Sequence, residues 1–220
     1  MSDKKYNQII ETAVGIFTVE KGKIKILLVH KKNDPYKGYW ILPTRKFLED
    51  ESLDSSVEEI LNNNIGISNL YKEQCYTFSN IDSIEGKITI VSYIGLINNI
   101  TLKLKQEINK DIELEWFDIK SIPKLGYEHE IMIDKMISYL KSRIVNSNIL
   151  KILFPSDFTL PELQKVYEQI LETKLDRRNF RKKLINLDYI EDTGDMNEGY
   201  TGRPAKLYRF KEQIKEKNLF

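Results

Sequence analysis

Cysteine is nearly missing from this chain: among 220 residues Cys75 stands alone, so no internal disulfide can form. That fits a reducing compartment. A lone thiol is a candidate nucleophile, but this one sits in the strand-like run Gln74-Cys75-Tyr76-Thr77-Phe78, where a packed, inert thiol is the plainer reading. Long apolar runs are missing too. None approaches the roughly 20 residues that a membrane-spanning helix needs. The opening Met1-Ser2-Asp3-Lys4-Lys5-Tyr6 has no apolar core of a signal peptide. Together these absences point to a cytoplasmic protein with no membrane partner. An excess of one charge is also missing, with 34 Lys and Arg against 33 Asp and Glu. A near-neutral total neither supports nor excludes nucleic acid, so local clustering of basic residues has to decide. Internal repeats and low-complexity segments do not occur. What remains is an ordinary globular composition, 41% apolar and 30% charged, at a length that favours two domains over one.

The first two thirds of the chain read as strands with two helices. Thr12–Val19 and Ile24–His30 are β-rich around Lys21-Gly22-Lys23, and Asn33–Gly38 is a loop by composition. Tyr39–Pro43 is a short apolar run. A helix starts at Ser52, capped by Ser52 or Ser55, with Val57, Ile60 and Leu61 at helical spacing and Gly66 as its stop. Leu70–Ser79, Lys87–Leu96 and Glu113–Ile119 are further strands, with Asp82–Gly86 as a turn. Glu130–Arg143 is a second helix.

From Ser147 the character changes. Thr159, Pro161 and Glu162 form a capping-box start for a helix whose buried face is Leu160, Leu163, Val166, Tyr167, Ile170 and Leu171. Asp176 caps the next helix, which turns Phe180, Leu184 and Leu187 inward. Tyr189–Thr193 and Lys206–Phe210 read as strands flanking a turn-rich loop, Gly194–Pro204. Two helices across a turn, backed by a small hairpin, is what a winged helix-turn-helix requires.

The second of those helices opens Asp176-Arg177-Arg178-Asn179-Phe180-Arg181-Lys182-Lys183, with five basic residues in eight. With Phe180 inward, Arg177, Arg178, Arg181 and Lys182 face out. Arg reads guanine or grips phosphate, and Asn179 suits adenine or the backbone. Arg203 and Lys206 in the wing are placed for phosphate or the minor groove. The bland alternative is a solvated basic helix face.

The segment Leu42-Pro43-Thr44-Arg45 through Glu51, then Val57-Glu58-Glu59-Ile60-Leu61-Asn62-Asn63-Asn64-Ile65-Gly66-Ile67, resembles a Nudix box. Leu27–Lys32 ahead of Trp40-Ile41-Leu42-Pro43, and Leu114–Asp118 followed by Ile122-Pro123, resemble its flanks. Aligned on Gly66, the box retains Glu51, Leu61, Gly66 and Ile67. Its first glycine falls on Arg45 and its Arg on Glu59. The three metal-binding Glu positions fall on Ile60, Asn63 and Asn64. Magnesium and manganese prefer hard anionic oxygens, and neutral Asn and apolar Ile do not supply them. Glu58 and Glu59 would serve only if the register slipped, which the stripe of Val57 and Leu61 resists. The resemblance therefore implies no catalytic residue, no metal site and no cofactor.

The C-terminal stretch, above all Phe158-Thr159-Leu160, Leu163-Gln164, Val166-Tyr167-Glu168, Asp176–Lys182 and Ile190–Thr193, resembles the DNA-binding half of Nudix-related transcriptional regulators of the NrtR and AraR type. The fold this implies is α+β: an N-terminal Nudix-like α/β/α sandwich on a mixed sheet, residues 1–145, then a C-terminal winged helix-turn-helix domain, residues 146–220. The function it implies is a ligand-responsive transcriptional regulator that binds duplex DNA as a homodimer and senses ADP-ribose or a sugar such as arabinose. The expected ligand lining is Arg45, Trp40 and Glu51, with Lys31, Lys32 and Tyr76 as further candidates, and Glu51 reads as structural before ligand-binding. Arg45 has a second reading, a surface salt bridge with Glu49 or Glu59. The segment near Arg143–Ser147 is the expected joint between domains. The competing functions are an active Nudix hydrolase of ADP-ribose or a nucleoside diphosphate sugar, and an RNA-associated binding protein.

Overall fold

A computed structural model describes residues 9–68, 70–83, 86–98, 113–154, 156–197 and 204–220. Its first sheet grows from two apolar stretches. β1 (Ile9–Glu20) is buried without interruption from Thr12 to Thr18, and β2 (Lys23–His30) buries Ile24, Ile26, Leu27 and Leu28. A strand hidden on both faces belongs in the middle of a covered sheet. The two are joined at Lys21 and Gly22, both with positive φ (51° and 69°). That pair of left-handed residues is what a tight two-residue hairpin turn demands, and glycine meets it without a Cβ penalty.

β3 (Trp40–Ile41), β4 (Thr44–Lys46), β5 (Tyr71–Ser83), β6 (Gly86–Leu96) and β7 (Glu113–Asp118) complete a seven-stranded sheet. Its order is β3-β2-β1-β6-β5, with β4 on β1 and β7 on β2. β4 lies antiparallel to β1, with Thr12 opposite Arg45. α1 (Leu53–Glu59) follows, and Ser52 and Ser55 cap it reciprocally, each side chain accepting the other's backbone N–H. The helix then widens into a π-helical turn, Ile60–Ile65, and stops at Gly66 with φ 78°. α2 (His129–Asn146) is longer at both ends than its apolar stripe predicts.

After a short 3₁₀ turn, Ile149–Leu153, come β8 (Phe158–Thr159), α3 (Leu160–Leu171), α4 (Arg177–Asn186), β9 (Ile190–Asn197) and β10 (Ala205–Phe210). The three strands form a sheet of order β8-β10-β9. α3 starts at the predicted capping box of Thr159 and Glu162, and α4 at the predicted cap Asp176. Leu163, Val166, Tyr167, Ile170, Phe180 and Leu184 are buried, as helical spacing requires. This is the winged helix-turn-helix order.

The chain divides into two compact units. One takes the described residues of Met1–Ile16, Ile26–Gly95 and Lys103–Met136; the other takes those of Phe17–Lys25, Leu96–Leu102 and Ile137–Phe220. The second unit is thus larger than the segment 146–220. It includes the tip of the β1–β2 hairpin, where the Ile24 N–H donates to Gln169 Oε1 on α3 at 3.0 Å, inside the core. The expected joint near Arg143–Ser147 lies wholly within this unit. It is helical to Asn146 and braced by an Arg143–Glu216 ion pair at 3.1 Å. No helix among the described residues is long and apolar enough to cross a membrane.

Candidate functional site

The box loop is built around one charged pair. Arg45 leaves β4 and places Nη1 2.6 Å from each oxygen of the Glu51 carboxylate, and 3.1 Å from Ser56 Oγ. Ser56 in turn shares a 2.8 Å hydrogen bond with Thr12 Oγ1, and both side chains are fully buried. Glu51 also accepts from the Leu48 N–H at 2.6 Å, which folds the loop back onto itself. The guanidinium beside Glu51 lowers its carboxyl below the ordinary value, hydrogen bonding being the largest cause and burial opposing it. Arg45 therefore does make a salt bridge, but with Glu51 rather than Glu49 or Glu59.

The box helix places Ile60 in the core with no exposure, while Asn63 and Asn64 are exposed. Glu58 pairs with Lys72 at 2.7 Å, and Glu59 accepts from Asn63 one helical turn on. Val57 and Leu61 are buried, as the apolar stripe predicts. Among the described residues no group of three or more His, Cys, Asp and Glu is placed to hold a metal ion.

The other expected ligand residues fall elsewhere. Trp40 packs between His30 and Phe117, with ring centroids 4.9 and 4.8 Å away. Its carbonyl accepts from Gly126 at 3.0 Å. That bond draws in an aromatic cluster that residue spacing did not reveal. Tyr36 lies 4.3 Å from Tyr127 and 5.9 Å from Tyr39, and Tyr127 stacks on His129 at 5.4 Å. Lys31 lies 5.8 Å from the Tyr127 ring centre and Lys124 5.5 Å from that of Tyr39. Lys32 is exposed. Tyr76 stands apart on β5, against Phe78 and under Lys135. Since β5 and β3 occupy opposite ends of the sheet order, about 19 Å of strand spacing separates Tyr76 from Trp40. Arg45 pairs with Glu51, Trp40 lies near Lys31 on the aromatic cluster, and Tyr76 stands on the far strand of the sheet. The only early sign of the aromatic cluster was the tyrosine content of the loop Asn33–Tyr39.

In the second unit the turn between α3 and α4 is stapled by side chains of α3. Glu168 accepts the Leu175 N–H at 2.9 Å, and Gln164 Nε2 donates to the Leu175 carbonyl at 2.9 Å. Asp176 then caps α4, its carboxylate accepting the Asn179 N–H at 2.9 Å. With Phe180 and Leu184 buried, Arg177, Arg178, Asn179, Arg181 and Lys182 are all exposed. Arg181 lies over the Tyr208 ring, 5.8 Å from its centre. Lys206 is held by Asp192 at 2.8 Å. Arg203 lies outside the described residues.

Residues 152–210 match the family model of the NrtR DNA-binding winged helix domain. Over 202 residues the chain is 31% identical to the ADPR responsive transcriptional repressor NtrR of Acinetobacter baylyi, covering 90% of this chain and 80% of that protein. Among solved structures, Shewanella oneidensis NrtR complexed with a 27mer DNA matches with a TM-score of 0.75 at 28% identity, covering 92% of this chain and 93% of that one. The NUDIX domain of S. oneidensis NrtR complexed with ADP ribose matches with a TM-score of 0.53 at 25% identity, covering 64% of this chain and 94% of the other.

Proposed function

Because the chain belongs to the NrtR family of Nudix-related transcriptional regulators, we propose that it is a DNA-binding repressor released by ADP-ribose. The observation that carries the DNA half is the exposed face of α4, where Arg177, Arg178, Asn179, Arg181 and Lys182 stand together over a buried Phe180. The first turn of such a helix meets base edges in the major groove. The protein works in the cytoplasm as a homodimer, whose two-fold symmetry suits a palindromic operator.

ADP-ribose rather than a free sugar is the effector. It presents an aromatic base and a diphosphate, and the cluster of Trp40, Tyr36, Tyr39 and Tyr127 with Lys31 and Lys124 offers ring faces and cations for both. In this reading Arg45 and Glu51 hold the box loop, since Arg45 could meet a phosphate only by leaving Glu51. The chain senses without hydrolysing. Ile60, Asn63 and Asn64 do not fit a divalent cation, which needs anionic oxygens.

Binding of duplex DNA from upstream of its own gene tests the reading, measured with and without ADP-ribose and with arabinose as comparator. ADP-ribose should weaken the complex at least tenfold, a coupling of about 1.4 kcal/mol, and arabinose should leave it unchanged. Lys31→Ala should blunt the response. The same preparation with Mg²⁺ or Mn²⁺ should release no AMP from ADP-ribose. Turnover at ordinary Nudix rates, or DNA affinity indifferent to ADP-ribose, would overturn the assignment.

A further inference from the structure

The cations of β10 are not free for DNA. Lys206 Nζ donates to Asp192 Oδ2 at 2.8 Å, and Arg209 forks onto both oxygens of Asp157 at 2.6 and 3.0 Å. Those of α4 differ: Arg177, Arg178 and Lys182 are exposed and make no ion pair among the described residues. Asp192 is the joint between the two sets. Its Oδ1 accepts the Gly194 N–H at 3.1 Å, which fixes the carboxylate on the wing. Across the hairpin it pairs with Tyr208, the ring over which Arg181 lies. The Arg181 charge also reaches Asp192, adding to the effect of Lys206 and the Gly194 N–H in lowering its carboxyl.

We infer that Asp192 is an affinity-limiting anion: it occupies Lys206, lies within reach of the Arg181 charge, and so holds down affinity for duplex DNA of any sequence. A phosphate that takes Lys206 must first displace a carboxylate already in place, and must approach that carboxylate's charge. Generic binding rests almost wholly on such phosphate contacts, whereas an operator adds base contacts from α4. The restraint therefore lowers phosphate-driven affinity for every duplex alike, and only base contacts from α4 separate the operator from the rest. This inference rests on the DNA-binding reading above.

The test is fluorescence anisotropy at several salt concentrations, with an unrelated mixed-sequence duplex and a duplex from upstream of the chain's own gene. Asp192→Asn should bind the unrelated duplex about fivefold more tightly at low salt, with a log–log salt slope steeper by roughly 0.9, the signature of one more neutralised phosphate. Asp192→Glu, which restores the charge, should return both quantities toward the wild type. The gain should be much smaller in the double variant with Lys206→Met. If Asp192→Asn does not fold, judged by melting and circular dichroism, Asp192→Thr makes the same charge change with a residue suited to strands. An unchanged or weaker affinity on charge removal, or a gain undiminished by Lys206→Met, overturns the inference. Wild-type protein that binds neither duplex overturns the DNA-binding reading itself, a distinct result.

Discussion

His129 is a buried imidazole doing the work of a backbone partner. Its Nδ1 accepts the Leu42 N–H at 2.9 Å, tying the residues just ahead of the box loop to the start of α2. That bond needs the neutral ring, and burial pushes its pKa from 6.5 down to about 4. Between those two values the unfolded chain binds the extra proton and the folded chain does not. Stability therefore rises with pH across that window, is fully present above 6.5, and is lost as pH falls toward 4. At pH 5 the loss should be roughly 2 kcal/mol, or about 4–8 °C in melting temperature relative to pH 7. His129→Gln should flatten that profile; a profile as steep as the wild type would place the titrating group elsewhere. Single residues were unevenly legible. The caps Ser52, Thr159 and Asp176 were readable because capping is local, decided within three residues. The partner of Arg45 was not. Glu51 wins because the loop turns back so that Leu48 and Arg45 reach the same carboxylate, a geometry that charge spacing does not encode.

At the scale of elements, α4 shows the benefit of a strong pattern. Its basic positions lie off the face that buries Phe180 and Leu184, so these outward and inward residues could be assigned from spacing alone, with Ile185 the apolar exception. Arg178→Ala and Arg181→Ala should separate two roles. A base-reading arginine should cost roughly 1–3 kcal/mol and relax preference at one operator position, whereas a phosphate-binding one should weaken all duplexes alike and flatten the salt slope. Affinity measured for both variants at two salt concentrations decides between these, and binding unaffected by either would remove α4 as the reader. The elements that went unread are the shortest. β4 and β8 span three and two residues, too few for any period to show, and they exist only because β1 and β10 offer them an edge. The π-helical turn at Ile60–Ile65 was invisible for a related reason. Its residues are ordinary, and the wider turn is a tertiary compromise between Gly66 and the buried Ile60, Leu61 and Ile65.

At the scale of the whole molecule, composition change marked the start of the DNA-binding half near Ser147, but not what completes it. A sequence reading assigns a domain to one stretch of chain, whereas burial recruits whatever lies nearby. Here the second unit draws on the hairpin tip Phe17–Lys25, which is far off in sequence. The buried bond from Ile24 to Gln169 has a consequence for modularity. A domain assembled from a single stretch can be excised, fused to another sensor, or shuffled by recombination. This one should not survive a cut at residue 146 intact. The excised fragment 146–220 would leave Gln169, now nine-tenths buried, facing solvent or an empty seat, along with the helix face that the hairpin covers. It should melt well below the intact chain and bind DNA more weakly, and adding a separate peptide spanning residues 9–30 should not fully restore it. A cooperative fragment of full DNA affinity would show that the hairpin is dispensable. Otherwise, the wing and the β1–β2 hairpin form one heritable piece, and a chimera that exchanges only the last third of the chain inherits α4 without its keystone.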